Sequence, residues 1–113
     1  MSRVIEFVNG DIEIIQGEDG VYDGATIFDA GLVLIHYLQK CVKEGTLDFN
    51  GKSVIDLGSG TGIVGIAAGK LGGLVTLTDL EDGMSLIDKN VEMNFNSSKN
   101  TCKTAVLQWQ VFG

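Results

Sequence analysis

The run Val54-Ile55-Asp56-Leu57-Gly58-Ser59-Gly60-Thr61-Gly62 constrains this chain more than any other part of it. Apolar residues and an acid lead into glycines at alternate positions. The small-residue segment Ile63-Val64-Gly65-Ile66-Ala67-Ala68-Gly69 follows directly. This order predicts a short buried strand, a tight turn and a helix lying very close to the strand. Alternate glycines free the turn from Cβ atoms, so a backbone can approach a nucleotide-like ligand. Without a ligand, such glycines would only weaken the start of the helix.

Two kinds of cofactor compete for that turn. Gly60-Thr61-Gly62-Ile63-Val64-Gly65 satisfies the dinucleotide pattern G-x-G-x-x-G, and Asp79 lies 19 positions beyond Gly60. Against the NAD reading, the glycine run begins earlier, at Gly58, directly after Asp56-Leu57. A pyrophosphate facing a helix N-terminus is poorly served by an acid two residues before the loop. A cofactor with a cationic sulfonium and an amino group would tolerate Asp56 or use it.

The segment Leu74-Val75-Thr76-Leu77-Thr78-Asp79-Leu80 reads as the next parallel strand, entered through Gly72-Gly73. An acid at the carboxyl end of that strand is placed to accept hydrogen bonds from two ribose hydroxyls. The other reading of Asp79 is an N-cap for the following helix. Before these elements, Val4–Val8 and Ile12–Gln16 are β-type runs around Asn9-Gly10, a hairpin dipeptide. A Gly- and Asp-rich loop follows from Gly17 to Gly24. A helix is expected over Asp29–Lys43, with Ala30, Leu34, Tyr37, Leu38 and Cys41 at helical spacing and Gly45 at its end. A further helix should bury Met84, Ile87, Val91 and Phe95. After a polar stretch from Asn94 to Lys103, Thr104–Leu107 should form a third short strand. The β-α-β-α-β order implies parallel strands joined by right-handed crossovers, in spatial order 3-2-1.

Composition narrows the classes. The chain has 113 residues, enough for one domain with a modest core. Its net charge is −7, with 15 acidic and 8 basic residues, which argues against a nucleic-acid groove. Between Val4 and Asp29 lie Glu6, Asp11, Glu13, Glu18, Asp19, Asp23 and Asp29, with no Lys or Arg. This stretch is a solvated acidic face or an attractor for a basic protein substrate. No apolar run is long enough to span a membrane, and no secretory signal is visible at the N-terminus. Cys41 and Cys102 lack metal-ligand spacing and read as reduced packing residues, and the single His36 as a packed or half-exposed side chain. A cytoplasmic protein, or one also found in the nucleus, is expected, with no metal site.

The order hydrophobic-hydrophobic-acid-Leu-Gly-Ser-Gly-Thr-Gly resembles motif I of the class I S-adenosylmethionine-dependent methyltransferases. Gly24-Ala25-Thr26-Ile27-Phe28-Asp29-Ala30, Thr78-Asp79-Leu80 and Leu107-Gln108-Trp109 extend the likeness. Together they resemble methyltransferase family 16, specifically the methyltransferase-like 21 group of protein-lysine methyltransferases, from about residue 4 to Trp109. The resemblance implies a Rossmann-like α/β fold and S-adenosyl-L-methionine as cofactor. It implies that Gly58, Ser59 and Gly60 line the methionine and ribose, that Asp79 holds the ribose hydroxyls, and that Trp109 borders the adenine. Phe28 stands where the family usually has Trp covering the cofactor. The aromatic face is kept there, while the indole N–H donor is lost.

The sequence also departs from that family. Members continue for another half domain, usually through a Gly where this chain has Gln110. The chain is therefore expected to be one partial domain, with a hairpin and loop over 1–24 and a cofactor-binding β-α-β-α-β half over 25–113. Its parallel sheet would be incomplete, with strand Ser53–Leu57 an open edge. No catalytic residue can be named from what is present. The expected function is S-adenosylmethionine-dependent methylation of a lysine side chain on a protein substrate. The alternatives are a non-catalytic cofactor-binding or regulatory fragment, whose sheet a partner chain would complete, and an NAD-binding domain.

Overall fold

The computed structural model describes residues 2–17, 29–95 and 101–108. Strands β1 (Ser2–Ile5) and β2 (Ile12–Ile15) form an antiparallel hairpin with Ser2 opposite Ile15 and Ile5 opposite Ile12. Helix α1 (Asp29–Glu44) leads to strand β3 (Ser53–Leu57), helix α2 (Ile63–Lys70) and strand β4 (Leu74–Asp79). A single 3-10 turn (Glu81–Gly83) runs into helix α3 (Met84–Asn94), and strand β5 (Cys102–Val106) follows. The three later strands are parallel in the order β3-β4-β5, which is the expected 3-2-1 arrangement of a Rossmann-like α/β unit. Among the described residues β3 pairs with β4 alone, so its other edge carries no strand.

Helix α2 is apolar all round, and nearly every residue of it is buried. A helix of that composition must be covered on several sides. It lies on β3 and β4, beside α1, and against β2. Its contact with the sheet is made through Gly65. A Cβ there would stand 2.6 Å from Leu77 Cγ and 3.0 Å from Asp56 Oδ2. Ile12 and Ile14 of β2, Ile35, Ile66, Leu77 and Ile87 form the fully buried centre around this contact.

Two strand boundaries and one helix face differ from the sequence reading. β1 occupies Ser2–Ile5 rather than Val4–Val8, because Phe7 turns into the core and Gly10 N–H closes a turn onto Phe7 C=O at 3.3 Å. Asn9-Gly10 thus sits inside a longer loop, where the Asn9 amide caps α2 by donating to Lys70 C=O. β5 starts at Cys102, two residues before the expected strand, pairing Cys102 with Val75 and Thr104 with Leu77. Its inward side chains look polar in sequence, yet Cys102 packs on the core and Thr104 donates to Asp88 of α3. In α1 the inner face is Leu32, Ile35, Leu38 and Val42, while Leu34 and Tyr37 point outward. Gly31 lies on the side of α1 turned to α2, where a Cβ would stand in ordinary contact with Ile63 at 3.6 Å. The face of α3 is as expected, with Ile87 buried and Met84, Val91 and Phe95 packed around it.

Both crossover helices cover one face of the sheet. On the other, Ile55 is 60% exposed, Leu57 49% and Leu74 50%. Among the described residues no helix is long and apolar enough to cross a membrane. The Gly17–Gly24 loop lies almost wholly outside the described residues.

Replacing Gly65 with Ala should destabilise the fold by about 1–3 kcal/mol, because the new methyl meets Leu77 and the Asp56 carboxylate. Urea unfolding followed by circular dichroism measures this. An unchanged midpoint would mean that α2 does not pack on β4 as closely as described.

Candidate functional site

The turn from Gly58 to Gly62 connects β3 to α2, and its three glycines have φ of 69°, 60° and 94°. Side chains other than glycine rarely adopt such values, so the alternation seen in the sequence is a backbone requirement. A Cβ on Gly58 would meet nothing within 4 Å, so the bare backbone faces outward at the carboxyl end of β3. In open parallel sheets that is the end where ligands bind.

The turn is held from below by the ends of β3 and β4. Ser59 N–H donates to Thr78 C=O at 2.8 Å, and Thr78 N–H donates to Ser59 Oγ at 3.0 Å. The hydroxyls of Ser59 and Thr78 both donate to Asp56 C=O, at 3.2 and 2.8 Å. Ser59 and Thr78 are buried, so these bonds satisfy polar groups that water does not reach. Thr78 was not singled out from sequence, where a threonine in a β-branched run reads as strand propensity.

Asp79 fixes the upper side of the turn. Its Oδ2 accepts Gly60 N–H at 2.8 Å and its Oδ1 accepts Leu80 N–H at 2.7 Å. It does not cap α3, whose N-cap is Gly83 with no side-chain hydrogen bond. The carboxylate therefore stands at the carboxyl end of β4, against the glycine turn. Asp56, Gly58, Ser59, Gly60 and Asp79 are thus brought together at one end of the sheet. Phe28 and Trp109 lie outside the described residues.

Asp56 points to the helix side of β3, and its Oδ2 accepts Gly65 N–H at 3.0 Å. Gly65 is the third residue of α2, whose N-cap Gly62 supplies no side chain. Asp56 thus does from the strand what an N-cap carboxylate does from the chain, satisfying an early helix amide and facing the positive end of the helix dipole. Burial pushes its carboxyl above the ordinary value of 3.8, and the negative charge of Asp79 adds to this. Hydrogen bonds from Ser59 and from the Gly65 amide pull the other way without overcoming burial.

A groove of about 530 Å3 crosses the uncovered sheet face, lined by Ser53, Ile55, Leu74, Thr76, Thr101 and Lys103. These residues lie toward the amino ends of the strands, away from the glycine turn. Chemistry favours the opposite end, where the bare backbone and two carboxylates converge. His36 and the acids Glu6, Asp11, Glu13 and Asp29 are exposed and take no part in this cluster. Glu18, Asp19 and Asp23 lie outside the described residues. Cys41 and Cys102 are half-buried and in no disulfide, and burial pushes the Cys102 thiol up to about 12, so it stays protonated.

The raised Asp56 pKa sets the sign of a pH dependence. Below its ordinary value the group is neutral in both folded and unfolded chains. As pH rises, the unfolded chain ionises first, and stability falls until the pH passes the raised folded value. Asp56→Asn removes this titration. From about pH 4 up to the raised folded value, wild type should therefore lose stability relative to Asp56→Asn. Urea unfolding of both proteins across that range checks this, and a gap that stays constant or moves in wild type's favour would contradict it.

Residues 8–111 match the lysine methyltransferase family. EEF1A lysine methyltransferase 3 of Xenopus tropicalis is 51% identical over 85 residues, which are 75% of this chain and 36% of that protein. Protein N-lysine methyltransferase METTL21A of Xenopus tropicalis is 39% identical over 109 residues, 96% of this chain and 49% of that protein. The mouse EEF1A lysine methyltransferase 3 is 40% identical over 87 residues, covering 77% of this chain and 35% of that relative. The chain thus spans half or less of the length of these relatives. With the glycine turn and its two carboxylates inside a matched segment that covers most of its length, this chain belongs to the lysine methyltransferase family.

Proposed function

We propose that this chain is the S-adenosyl-L-methionine-binding part of a protein-lysine methyltransferase. The observation that carries the reading is the carboxyl end of β3 and β4, where Gly58 exposes bare backbone and Asp79 is pinned against Gly60. S-adenosylmethionine would supply the activated methyl group. In this reading Gly58, Ser59 and Gly60 line the methionine and ribose, and Asp79 accepts the ribose hydroxyls. Phe28 covers the cofactor and Trp109 borders the adenine. Ser59 contributes chiefly its backbone, since its hydroxyl is engaged with Asp56 and Thr78. Asp56 acts on the ligand through its negative charge and through the turn it helps to hold. That charge suits a sulfonium and an amino group better than a pyrophosphate, which is the argument against NAD.

Residues 1–113 form one part of a domain, with 1–24 as hairpin and loop and 25–113 as the cofactor half. The substrate is a lysine on a protein, and the relatives named for lysine methylation support that class. Further polypeptide covers the exposed face of Ile55, Leu57 and Leu74 and pairs with β3, because parallel strands of this apolarity are ordinarily buried on both faces. The lysine-aligning groups belong to that further polypeptide. A chain that binds the cofactor and transfers nothing by itself is the second reading, and the open β3 edge favours it for the isolated 113 residues.

Isothermal titration with S-adenosylmethionine, S-adenosylhomocysteine and NAD tests the cofactor. The first two should bind and NAD should not; preference for NAD would overturn the proposal. Asp79→Ala should weaken S-adenosylmethionine binding by about 1.5–3 kcal/mol, the scale of a hydrogen bond to a charged group. Free methionine, which has no ribose, should lose far less. Equal losses for the two ligands would show that Asp79 serves the turn alone.

A further inference from the structure

Asn90 has no role in the cofactor reading, yet it is fully buried and hydrogen-bonded on every side. It lies in the middle of α3, on the same side as Ile87, where an apolar residue would ordinarily pack. Its Oδ1 accepts Ile15 N–H at 2.7 Å, and its Nδ2 donates to Ile15 C=O at 3.0 Å. The same Nδ2 donates to Thr61 C=O at 2.8 Å. Thr61 lies between Gly60 and Gly62 in the glycine turn and is itself buried. One side chain therefore joins α3, strand β2 and the turn that the proposed function assigns to the cofactor.

One turn further along α3, Asn94 repeats half of this arrangement. Its Oδ1 accepts Glu13 N–H at 2.9 Å and its Nδ2 donates to Glu13 C=O at 2.7 Å. Four residues along a helix advance about 6 Å, and two residues along a strand advance about 6.8 Å. The two asparagine amides thus match the two-residue repeat of β2 and replace the neighbouring strand that its edge lacks. The remaining bonds differ. Asn94 donates back to Asn90 C=O within its own helix, whereas Asn90 reaches Thr61. Asn94 serves the hairpin, and Asn90 serves the hairpin and the turn together.

We propose that Asn90 is a positioning residue for the cofactor turn, holding Thr61 C=O in place and making cofactor binding and the docking of the β1–β2 hairpin mutually dependent. This rests on the reading of the turn as the cofactor site. A buried carbonyl that loses its donor must find another or move. In this turn, movement of Thr61 shifts Gly60 and Gly62 on either side of it. Coupling of this kind is reciprocal, so a ligand that fixes the turn must also strengthen the contact between Asn90 and Ile15.

Amide hydrogen exchange with and without S-adenosylhomocysteine tests this on the wild-type chain, with no variant needed. Ligand should slow exchange of the Ile15 amide, which donates to Asn90. Unmoved Ile15 exchange on saturation with ligand would overturn the coupling. Two variants then separate turn from hairpin. Asn94→Ala should quicken exchange at Glu13 and leave S-adenosylhomocysteine affinity within about twofold, since its side-chain hydrogen bonds go to Glu13 and to Asn90 C=O rather than to the turn. Asn90→Asp keeps an acceptor for Ile15 N–H and loses both donors once ionised. It should quicken exchange at Gly62 and Ile63 and weaken affinity about tenfold. Lowering the pH restores an O–H donor, so part of that loss should be recovered in acid. A folded Asn90→Asp chain with wild-type affinity and wild-type turn exchange would refute the proposal. If the wild-type chain binds no S-adenosylhomocysteine, the cofactor reading fails; exchange at Gly62 and Ile63 in the unliganded variants still decides whether Asn90 positions the turn.

Discussion

The close approach of α2 to the β3–β4 pair, possible only because residue 65 has no side chain, is the constraint on which the carboxyl end of this sheet depends. With Leu77 occupying the space a Cβ would need, the first turn of α2 comes within reach of the Asp56 carboxylate. That carboxylate can then satisfy an orphan helix amide that the glycine N-cap leaves open. The glycine turn is consequently short, and every strand end beneath it finds its hydrogen-bond partner in the turn. Ser59 and Thr78 exchange bonds across it, and Asp79 grips Gly60 from above.

Asp56 shows the cost of that arrangement. A half-buried carboxylate is held above its ordinary pKa by loss of water even though it accepts a helix amide. A neutral acceptor would be cheaper to bury. The charge is worth its desolvation where it faces the positive end of a helix on one side and, in the proposed function, a cationic ligand on the other. The same charge would oppose a pyrophosphate. The local stability cost and the ligand preference thus come from one group.

Much of this was legible in the sequence because it rests on backbone rules. Positive φ at Gly58, Gly60 and Gly62 has no other common residue to supply it, so the turn could be placed to the residue. Asp79 was legible as the acid ending an apolar run, although its bond from Gly60 N–H, in place of a cap on α3, was not. The rotation of α1 was not legible. Leu34 and Tyr37 keep helical spacing as well as Leu32 and Leu38 do, and only the packing against the core decides between the two faces. The start of β5 was missed because Cys102 and Lys103 continue a polar stretch in the sequence, and only pairing with β4 and the packing of Cys102 on the core make them strand. Asn90 was missed because the apolar stripe alone was singled out in its helix, although its spacing of three from Ile87 places it on the buried side.

The two asparagines also explain how a two-stranded hairpin can belong to this fold at all. A lone hairpin is marginal in water, and its edges expose unpaired amides and carbonyls. β2 buries Ile12 and Ile14 against the core, which fixes its position but does nothing for the edge turned to α3. Asn90 and Asn94 close that edge with side chains, so the hairpin joins without becoming a strand of the main sheet. A side-chain pair sets only spacing and register. It leaves the hairpin able to answer to the state of the turn through Thr61, because an amide that holds both can transmit a shift that a full backbone ladder would resist.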